Sequence, residues 1–119
     1  MRRHGIQLKS PGQIRLMRQA GIVVAEALAA MGNAAVPGVS TAELDQIARD
    51  VLDRAGATSN FFGYDIGTGP YPGVICASIN DQVVHGIPRA DAVLRDGDLI
   101  SLDFGAVVDG WHADAAITV

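Results

Sequence analysis

Two apolar, β-prone runs meet at Asp109-Gly110 in the segment Asp98-Leu-Ile-Ser-Leu-Asp-Phe-Gly-Ala-Val-Val-Asp-Gly-Trp-His-Ala-Asp-Ala-Ala-Ile-Thr-Val119. Asp-Gly is a preferred dipeptide for the two-residue type I′ turn that joins antiparallel strands. With these two residues as the loop, Val108 pairs with Trp111. The segment therefore predicts a β-hairpin with a defined register.

That register places two acidic residues on one face of the hairpin. Asp103 is expected opposite Ala116, and Asp114 opposite Gly105. Because side chains alternate between faces, Asp103 and Asp114 form a diagonal pair about 7–8 Å apart at Cβ. Two carboxylates this close repel each other unless a proton or a cation lies between them, and hard divalent cations prefer carboxylate oxygens. The pair therefore predicts a metal site.

The alternative is that one aspartate faces solvent or caps a turn. Leu99, Ile100, Leu102 and Phe104 surround Asp103, so the strand is expected to be apolar on both faces. Aspartate is uncommon in strands and is rarely buried without a partner. The apolar setting supports the metal site as much as the solvent-facing alternative, and both stay open at this point.

Length and composition limit the class of protein. The 119 residues, 49% of them hydrophobic, suit a single domain (1–119) with a real core, and the net charge of −4 argues against direct readout of nucleic acid. The single Cys76 fits a reducing compartment, so a cytoplasmic location is expected. The longest apolar stretch, Ala20 to Met31, is interrupted by Glu26 and is too short to span a membrane. The N-terminus, Met1 to Gly5 and the residues after it, shows no export signal.

Two amphipathic helices are predicted in the first half of the chain. Ser10-Pro11-Gly12-Gln13 and Ser40-Thr41-Ala42-Glu43 are capping-box sequences, and Pro37-Gly38 and Gly56 are expected to stop the two helices. Apolar residues recur between these signals at helical spacing. The two stripes are Ile14, Met17, Gly21, Val24, Leu28 and Met31, and then Leu44, Ile47, Ala48, Val51, Leu52 and Ala55.

Shorter elements connect the helices to the hairpin. Residues 63–73 are rich in glycine and proline and predict an irregular loop, followed by a strand over 74–79. Residues 82–85 predict a short strand that ends at His85, next to a tight turn. The expected fold class is α+β, with two amphipathic helices packed on an antiparallel sheet.

Several short motifs together resemble type I methionine aminopeptidases. The resemblance covers essentially the whole chain, and its motifs occur in the family's order and spacing. They are Val84-His-Gly-Ile-Pro88, Asp96-Gly-Asp98, Leu102-Asp103 and His112-Ala-Asp114, with support from Ser10 to Gly21, Pro37 to Thr41 and Cys76 to Asn80.

The resemblance implies half of a pita-bread (creatinase/aminopeptidase-like) fold and a cytosolic hydrolase that removes the initiator methionine from nascent chains when the second residue is small. Two divalent ions (Co, Mn, Fe or Zn) would supply an activated hydroxide. Asp103 and Asp114 resemble metal ligands, with Asp114 bridging both ions, and His85 resembles the catalytic, substrate-side histidine. The implied partners are nascent N-termini and the ribosome, and the full-length protein is expected to be a monomer.

Four further residues match positions that line the family's methionine pocket: Phe61, Tyr64, Tyr71 and Cys76. Aromatic and sulfur surfaces suit a flexible thioether side chain. Simple loop packing is the alternative for the two tyrosines. His112 is expected to be a structural neighbour of Asp114.

Two departures from the family pattern affect the functional expectation. Ala113 stands where glycine is usual, which would be costly if its backbone needed a positive φ. The family's remaining ligands, a histidine and two glutamates, belong to a C-terminal half that is absent from these 119 residues. The chain is therefore expected to be a truncated or partial aminopeptidase, inactive alone.

Two other functions stay open. A noncatalytic binding module could use the exposed sheet edge at Ala115 to Val119. An Xaa-Pro peptidase or creatinase-like hydrolase shares the expected fold, but those proteins usually carry a separate domain before the first helix, whereas here only Met1 to Lys9 precede it.

Overall fold

The computed structural model describes residues 5–119, and the expectation of no export signal rests partly on Met1 to His4, which lie outside the described residues. Two helices precede a four-stranded antiparallel sheet. The elements are α1 (Pro11–Ala34), α2 (Thr41–Ala55), β1 (Thr58–Ser59), β2 (Ile75–Ile79), β3 (Ile100–Val108) and β4 (Trp111–Thr118).

Both helices begin at the predicted capping boxes. The Ser10 hydroxyl accepts a hydrogen bond from the Gln13 amide at 3.2 Å, and the Gln13 side chain accepts from the Ser10 amide at 2.9 Å. Ser40 and Glu43 repeat this reciprocal pair at 3.1 and 2.9 Å. Gly56 ends α2 in the left-handed conformation, with φ of 65°. These short-range predictions are confirmed.

The predicted apolar stripe of α1 is only partly buried. Every buried residue of this helix lies from Ala20 onward, while Ile14 is 55% exposed. The 24-residue helix is longer than the core that it covers, so its first turns extend past the buried cluster. A periodic pattern alone does not show where the sheet beneath a helix ends.

The central strand β3 carries the predicted hairpin. It pairs with β2 and β1 along one edge and with β4 along the other. Val108 pairs with Trp111, as predicted, and Asp109 and Gly110 both have positive φ, 49° and 80°. The register follows through to Asp103 opposite Ala116 and to Asp114 opposite Gly105. The hairpin prediction is confirmed residue by residue.

The expectation that β3 is apolar on both faces is wrong. Leu102 and Phe104 are fully buried against the helices, while the alternate positions, such as Ser101 and Asp103, face the other side of the sheet. Leu99 precedes the strand and is 61% exposed. A single helix layer covers one face of the sheet, so the other face remains available to polar groups.

The predicted strand over 82–85 is also wrong. His85 adopts φ of 60°, which a strand does not allow. The following residue, Gly86, lies directly on β2, where the Ala77 amide donates to its carbonyl at 2.8 Å and its own amide donates to the Ser78 hydroxyl at 3.0 Å. A Cβ at Gly86 would overlap the Ala77 carbonyl. Close backbone contact, rather than strand pairing, therefore holds this loop.

None of the helices within residues 5–119 combines the length and apolar character needed to cross a membrane.

Candidate metal centre

An open cleft of about 920 Å³ lies on the sheet face opposite the helices. All seven residues proposed from the sequence line it, together with residues that were not anticipated there. The lining residues are Asn60, Phe61, Tyr64, Asp65, Ile66, Tyr71, Cys76, His85, Ile87, Asp103, His112 and Asp114.

Asp103 and Asp114 converge in this cleft. The Asp103 Oδ1 atom is buried and has no hydrogen-bond partner. The pKa of Asp114 is raised to about 7, first because burial desolvates the carboxyl group and then because Asp103 lies beside it. Two acidic groups held this way favour either a shared proton or a cation between them.

The donor set fits a hard or borderline divalent ion but does not complete its coordination. Carboxylate oxygens suit such ions, and the unpaired Asp103 Oδ1 is an acceptor without a donor. Within residues 5–119, no group of three or more histidine, cysteine, aspartate or glutamate side chains is placed to hold a metal. Asp103 and Asp114 therefore provide two carboxylates, fewer groups than the coordination of a divalent ion requires.

His85 opens onto the same cleft, as the sequence predicted. Its positive φ is a strained conformation for a non-glycine residue. The contacts of Gly86 with Ala77 and Ser78 hold this conformation, because they anchor the peptide that follows. The loop that carries His85 is thus anchored to the strand β2, and the imidazole lines the cleft.

One wall of the cleft is built from Tyr71 and Cys76. The Tyr71 hydroxyl donates to the Ile75 carbonyl at 2.8 Å and lies 3.4 Å from Cys76 Sγ. Burial raises the pKa of the Cys76 thiol, and the carboxylates of the cleft raise it further, so the sulfur stays neutral. Phe61 meets the Tyr71 ring edge to face, with centroids 6.3 Å apart.

Backbone hydrogen bonds in the loop before β2 form a short ladder that positions Tyr64 and Tyr71. The Tyr71 amide donates to the Tyr64 carbonyl at 2.7 Å, and the Gly63 amide donates to the Tyr71 carbonyl at 2.9 Å. Asp65 and Pro70 form an isolated bridge inside this ladder, so the intervening residues make a small closed turn. Tyr71 is 4% exposed, while Tyr64 is 70% exposed. The two rings therefore offer very different surfaces to the cleft.

His112 and Ala113 precede Asp114 on the strand β4. His112 lies on the same face as Asp114 and lines the cleft. Ala113 lies in regular strand pairing with Ala106, and it is not among the described residues with positive φ. Alanine at this position therefore carries no conformational cost.

Sequence reasoning missed Asn60 and Asp45. Asn60 follows the two-residue strand β1 and has a buried Oδ1 atom without a partner. The Asp45 Oδ1 atom, on α2, accepts from the amides of Val74 and Ile75 at 2.7 and 3.1 Å, at the start of β2. A buried aspartate within an apolar helical stripe is a signal that could have been noticed, whereas Asn60 has no comparable local signal.

Comparison with known proteins gives a consistent family assignment. The chain is 53% identical over 116 residues to methionine aminopeptidase 1 of Mycobacterium tuberculosis, a match that covers 98% of this chain and 42% of that protein. It superposes on the methionine aminopeptidase of Thermotoga maritima with a TM-score of 0.89 and 35% identity, over 97% of this chain and 45% of that one. An X-Pro aminopeptidase of Thermotoga maritima shares the fold at 22% identity and a TM-score of 0.72.

The chain spans less than half the length of the Mycobacterium tuberculosis and Thermotoga maritima methionine aminopeptidases that it matches. Two helices on an antiparallel sheet, as predicted, thus correspond to about half of the fold of these peptidases. The model of metallopeptidase family M24 matches residues 15–119, which is most of the chain. On the agreement of the family match, the sequence relatives and the superposed structures, this chain belongs to metallopeptidase family M24.

Proposed function

We propose that this chain supplies one side of the active centre of a methionine aminopeptidase, which removes the initiator methionine from nascent chains whose second residue is small. The observation that supports this most directly is the convergence of Asp103 and Asp114 in a cleft that His85 also lines. The unpaired Asp103 Oδ1 gives the cleft an acceptor that a cation would satisfy.

The proposed roles combine the family resemblance with the positions of the side chains in the cleft. Asp103 and Asp114 would hold divalent ions (Co, Mn, Fe or Zn), and such ions lower the pKa of water and polarise a scissile carbonyl. His85 would donate a hydrogen bond to the oxyanion that develops on the substrate carbonyl. Its exposure to the cleft leaves the imidazole free for this contact.

The methionine side chain of the substrate would lie against Phe61, Tyr64, Tyr71 and Cys76. Tyr71 and Cys76 are buried in the wall and offer an aromatic and a sulfur surface. A neutral thiol and a hydrogen-bonded tyrosine present no charge to a thioether. We expect Tyr64, which is exposed, to close on the side chain only when substrate is bound.

The wider setting is part of the same proposal. We place the protein in the cytoplasm, where nascent N-termini and the ribosome would be its partners. Residues 1–119 would form one domain, the N-terminal half of a monomeric aminopeptidase. Since two carboxylates cannot fill the coordination of two ions, we propose that turnover needs ligands from a longer polypeptide.

A comparison of two polypeptides tests the proposal. Residues 1–119 alone should release no methionine from a Met-Ala-Ser peptide with added Mn²⁺ or Co²⁺. A chimera of this chain with the part of the Mycobacterium tuberculosis relative that the match leaves out should release it. Asp114→Asn in the chimera should abolish release, whereas Asp109→Asn, the same change in the hairpin turn, should not.

The outcomes separate the open alternatives. Metal-dependent turnover by monomeric residues 1–119 would overturn the proposal that this chain supplies only one side of the active centre. A folded, metal-loaded chimera without methionine release would overturn the proposed aminopeptidase activity and favour the noncatalytic binding module. A chimera that cleaves Xaa-Pro peptides in preference to Met-Ala-Ser would favour the X-Pro peptidase alternative.

A further inference from the structure

Asn60 places an unpaired carbonyl oxygen in the cleft that the proposed roles leave unexplained. Its Oδ1 is one of two buried side-chain oxygen or nitrogen atoms without a partner among the described residues, and Asp103 Oδ1 is the other. Both residues line the same cleft. A buried acceptor without a donor is costly, so two in one cleft call for a common explanation.

The strand register aligns Asn60 with the carboxylates. Thr58 and Ser59 pair with Val107 and Ala106, so the next step of the same register brings Asn60 opposite Gly105. Gly105 in turn pairs with Asp114 on its other side. Asn60 and Asp114 are therefore cross-strand neighbours of Gly105 on its two sides, so the Asn60 carboxamide and the Asp114 carboxylate project from the same face of the sheet, about 9–10 Å apart at the backbone.

Gly105 makes room for the Asn60 carboxamide. A Cβ built there would overlap the Asn60 carboxamide, touching both its oxygen and its nitrogen. The carboxamide thus occupies the space of a missing side chain and is held low over the sheet, next to the metal ligands proposed above. A freely moving surface asparagine would not be seated on a backbone in this way.

Three acceptor groups line the same cleft: the Asp114 carboxylate, Asp103 Oδ1 and Asn60 Oδ1. Amide and carboxylate oxygens together form a usual ligand set for hard divalent cations. We propose that Asn60 is a further residue of the metal centre, whose Oδ1 faces the cation that Asp103 and Asp114 would hold. This inference rests on the proposed function for the cation itself.

Metal binding by residues 1–119 tests the role of Asn60 without any catalytic readout. Binding of Mn²⁺ at millimolar concentration would be followed by electron paramagnetic resonance, which reports free ion. Asn60→Ala should weaken binding by about tenfold, the usual effect of removing a supporting group at a metal site. Asn60→Asp should instead tighten binding, because it adds a negative charge at the same place.

Controls separate a metal role from a structural one. Asp109→Asn should bind Mn²⁺ like the unchanged chain, and Asp114→Asn should lose binding. Urea unfolding of each variant would show that it is folded, with Asn60→Ser as the replacement if Asn60→Ala is not. The alanine variant is decisive, since a purely structural asparagine could be replaced in a chain that stays folded without loss of Mn²⁺ affinity.

Unchanged Mn²⁺ affinity in the folded Asn60→Ala chain, with binding lost in Asp114→Asn, would overturn the role of Asn60 and leave the two-carboxylate site intact, whatever the affinity of Asn60→Asp. No saturable Mn²⁺ binding by the unchanged chain would overturn both the role of Asn60 and the cation site of this chain. Methionine release by the chimera is a separate measurement, so failure of the proposed activity would be recognised independently.

Discussion

Gly105 is the residue at which a missing side chain matters most. Its φ is not among the positive values, so the requirement for glycine is spatial rather than conformational. The Asn60 carboxamide occupies the position of the absent Cβ. Any side chain here must displace Asn60 from the centre of the cleft.

Gly105→Ala should therefore destabilise the protein by about 1–3 kcal/mol, the usual cost of overpacking. Gly21→Ala is the matched control, because no atom lies within 4 Å of a Cβ built at that helical position. Alanine there should stabilise by up to about 1 kcal/mol through helix propensity. Urea unfolding of both variants measures the difference, and equal stability of the two would contradict the contact with Asn60.

The Asp114 carboxyl group should make the stability of the metal-free protein depend on pH. Its pKa is raised from 3.8 to about 7 in the folded chain, so the folded state binds this proton more tightly than the unfolded state does. Its contribution to the free energy of unfolding is therefore greatest at low pH and falls as pH rises from about 4 through about 7. Solvent in the open cleft moderates the effect, since Asp114 remains exposed.

Urea midpoints across this pH range should fall more steeply for the unchanged chain than for Asp114→Asn, which cannot ionise. Divalent cation in the buffer should flatten the fall, because the ion takes the place of the proton. The same pH slope in both proteins would mean that folding does not raise the pKa of Asp114.

Among the elements, β2 depends on a clamp from α2. The Asp45 carboxylate, 6% exposed, accepts the amides of Val74 and Ile75, and Arg49 pairs with it at 2.8 Å. A Cβ at Gly73 would come within 2.9 Å of the same carboxylate oxygen. One helix side chain thus sets where β2 begins, and with it the position of the cleft wall.

Asp45→Ala should cost about 2–4 kcal/mol, because it leaves two buried amides without an acceptor. Faster hydrogen exchange at Val74 and Ile75 should accompany the loss. Asp50→Ala on the same helix is the control and should change stability by less than about 0.5 kcal/mol, since Asp50 is exposed. Unchanged exchange at the start of β2 in the Asp45 variant would rule out the clamp.

At the scale of the whole molecule, the sheet is covered on one face and open on the other. The helices α1 and α2 bury the even-numbered side of β3, and the odd-numbered side forms the floor of the cleft. Within residues 5–119, β4 pairs with β3 alone, so its outer edge is free. Free edges with small apolar residues favour pairing with another strand.

Concentrated residues 1–119 should therefore self-associate through β4, and Ala115→Lys should reduce association, because charged side chains protect sheet edges. Ala25→Lys adds the same charge on the exposed side of α1 and should have no such effect. Sedimentation equilibrium over a range of concentrations distinguishes the two variants. Equal association in both would place the contact elsewhere.

Features that depend on near neighbours along the chain could be predicted from the sequence. Ser10 and Ser40 start the helices because their partners lie three residues away. The Asp109-Gly110 turn sets the hairpin register, and that register alone placed Asp103 and Asp114 on one face. The motif resemblance added the family, which the comparisons confirm, and the residues of the proposed site.

Features that depend on distant partners could not be predicted from the sequence and became visible in the packed structure. Asp45 bonds to amides 29 and 30 residues away, and Asn60 is seated on Gly105, so neither role has a signature within its own segment. His85 was expected to end a strand, but Gly86 instead packs on the backbone of Ala77. Local patterns report interactions along the chain, whereas buried contacts between segments arise only when the helices and the sheet are packed together.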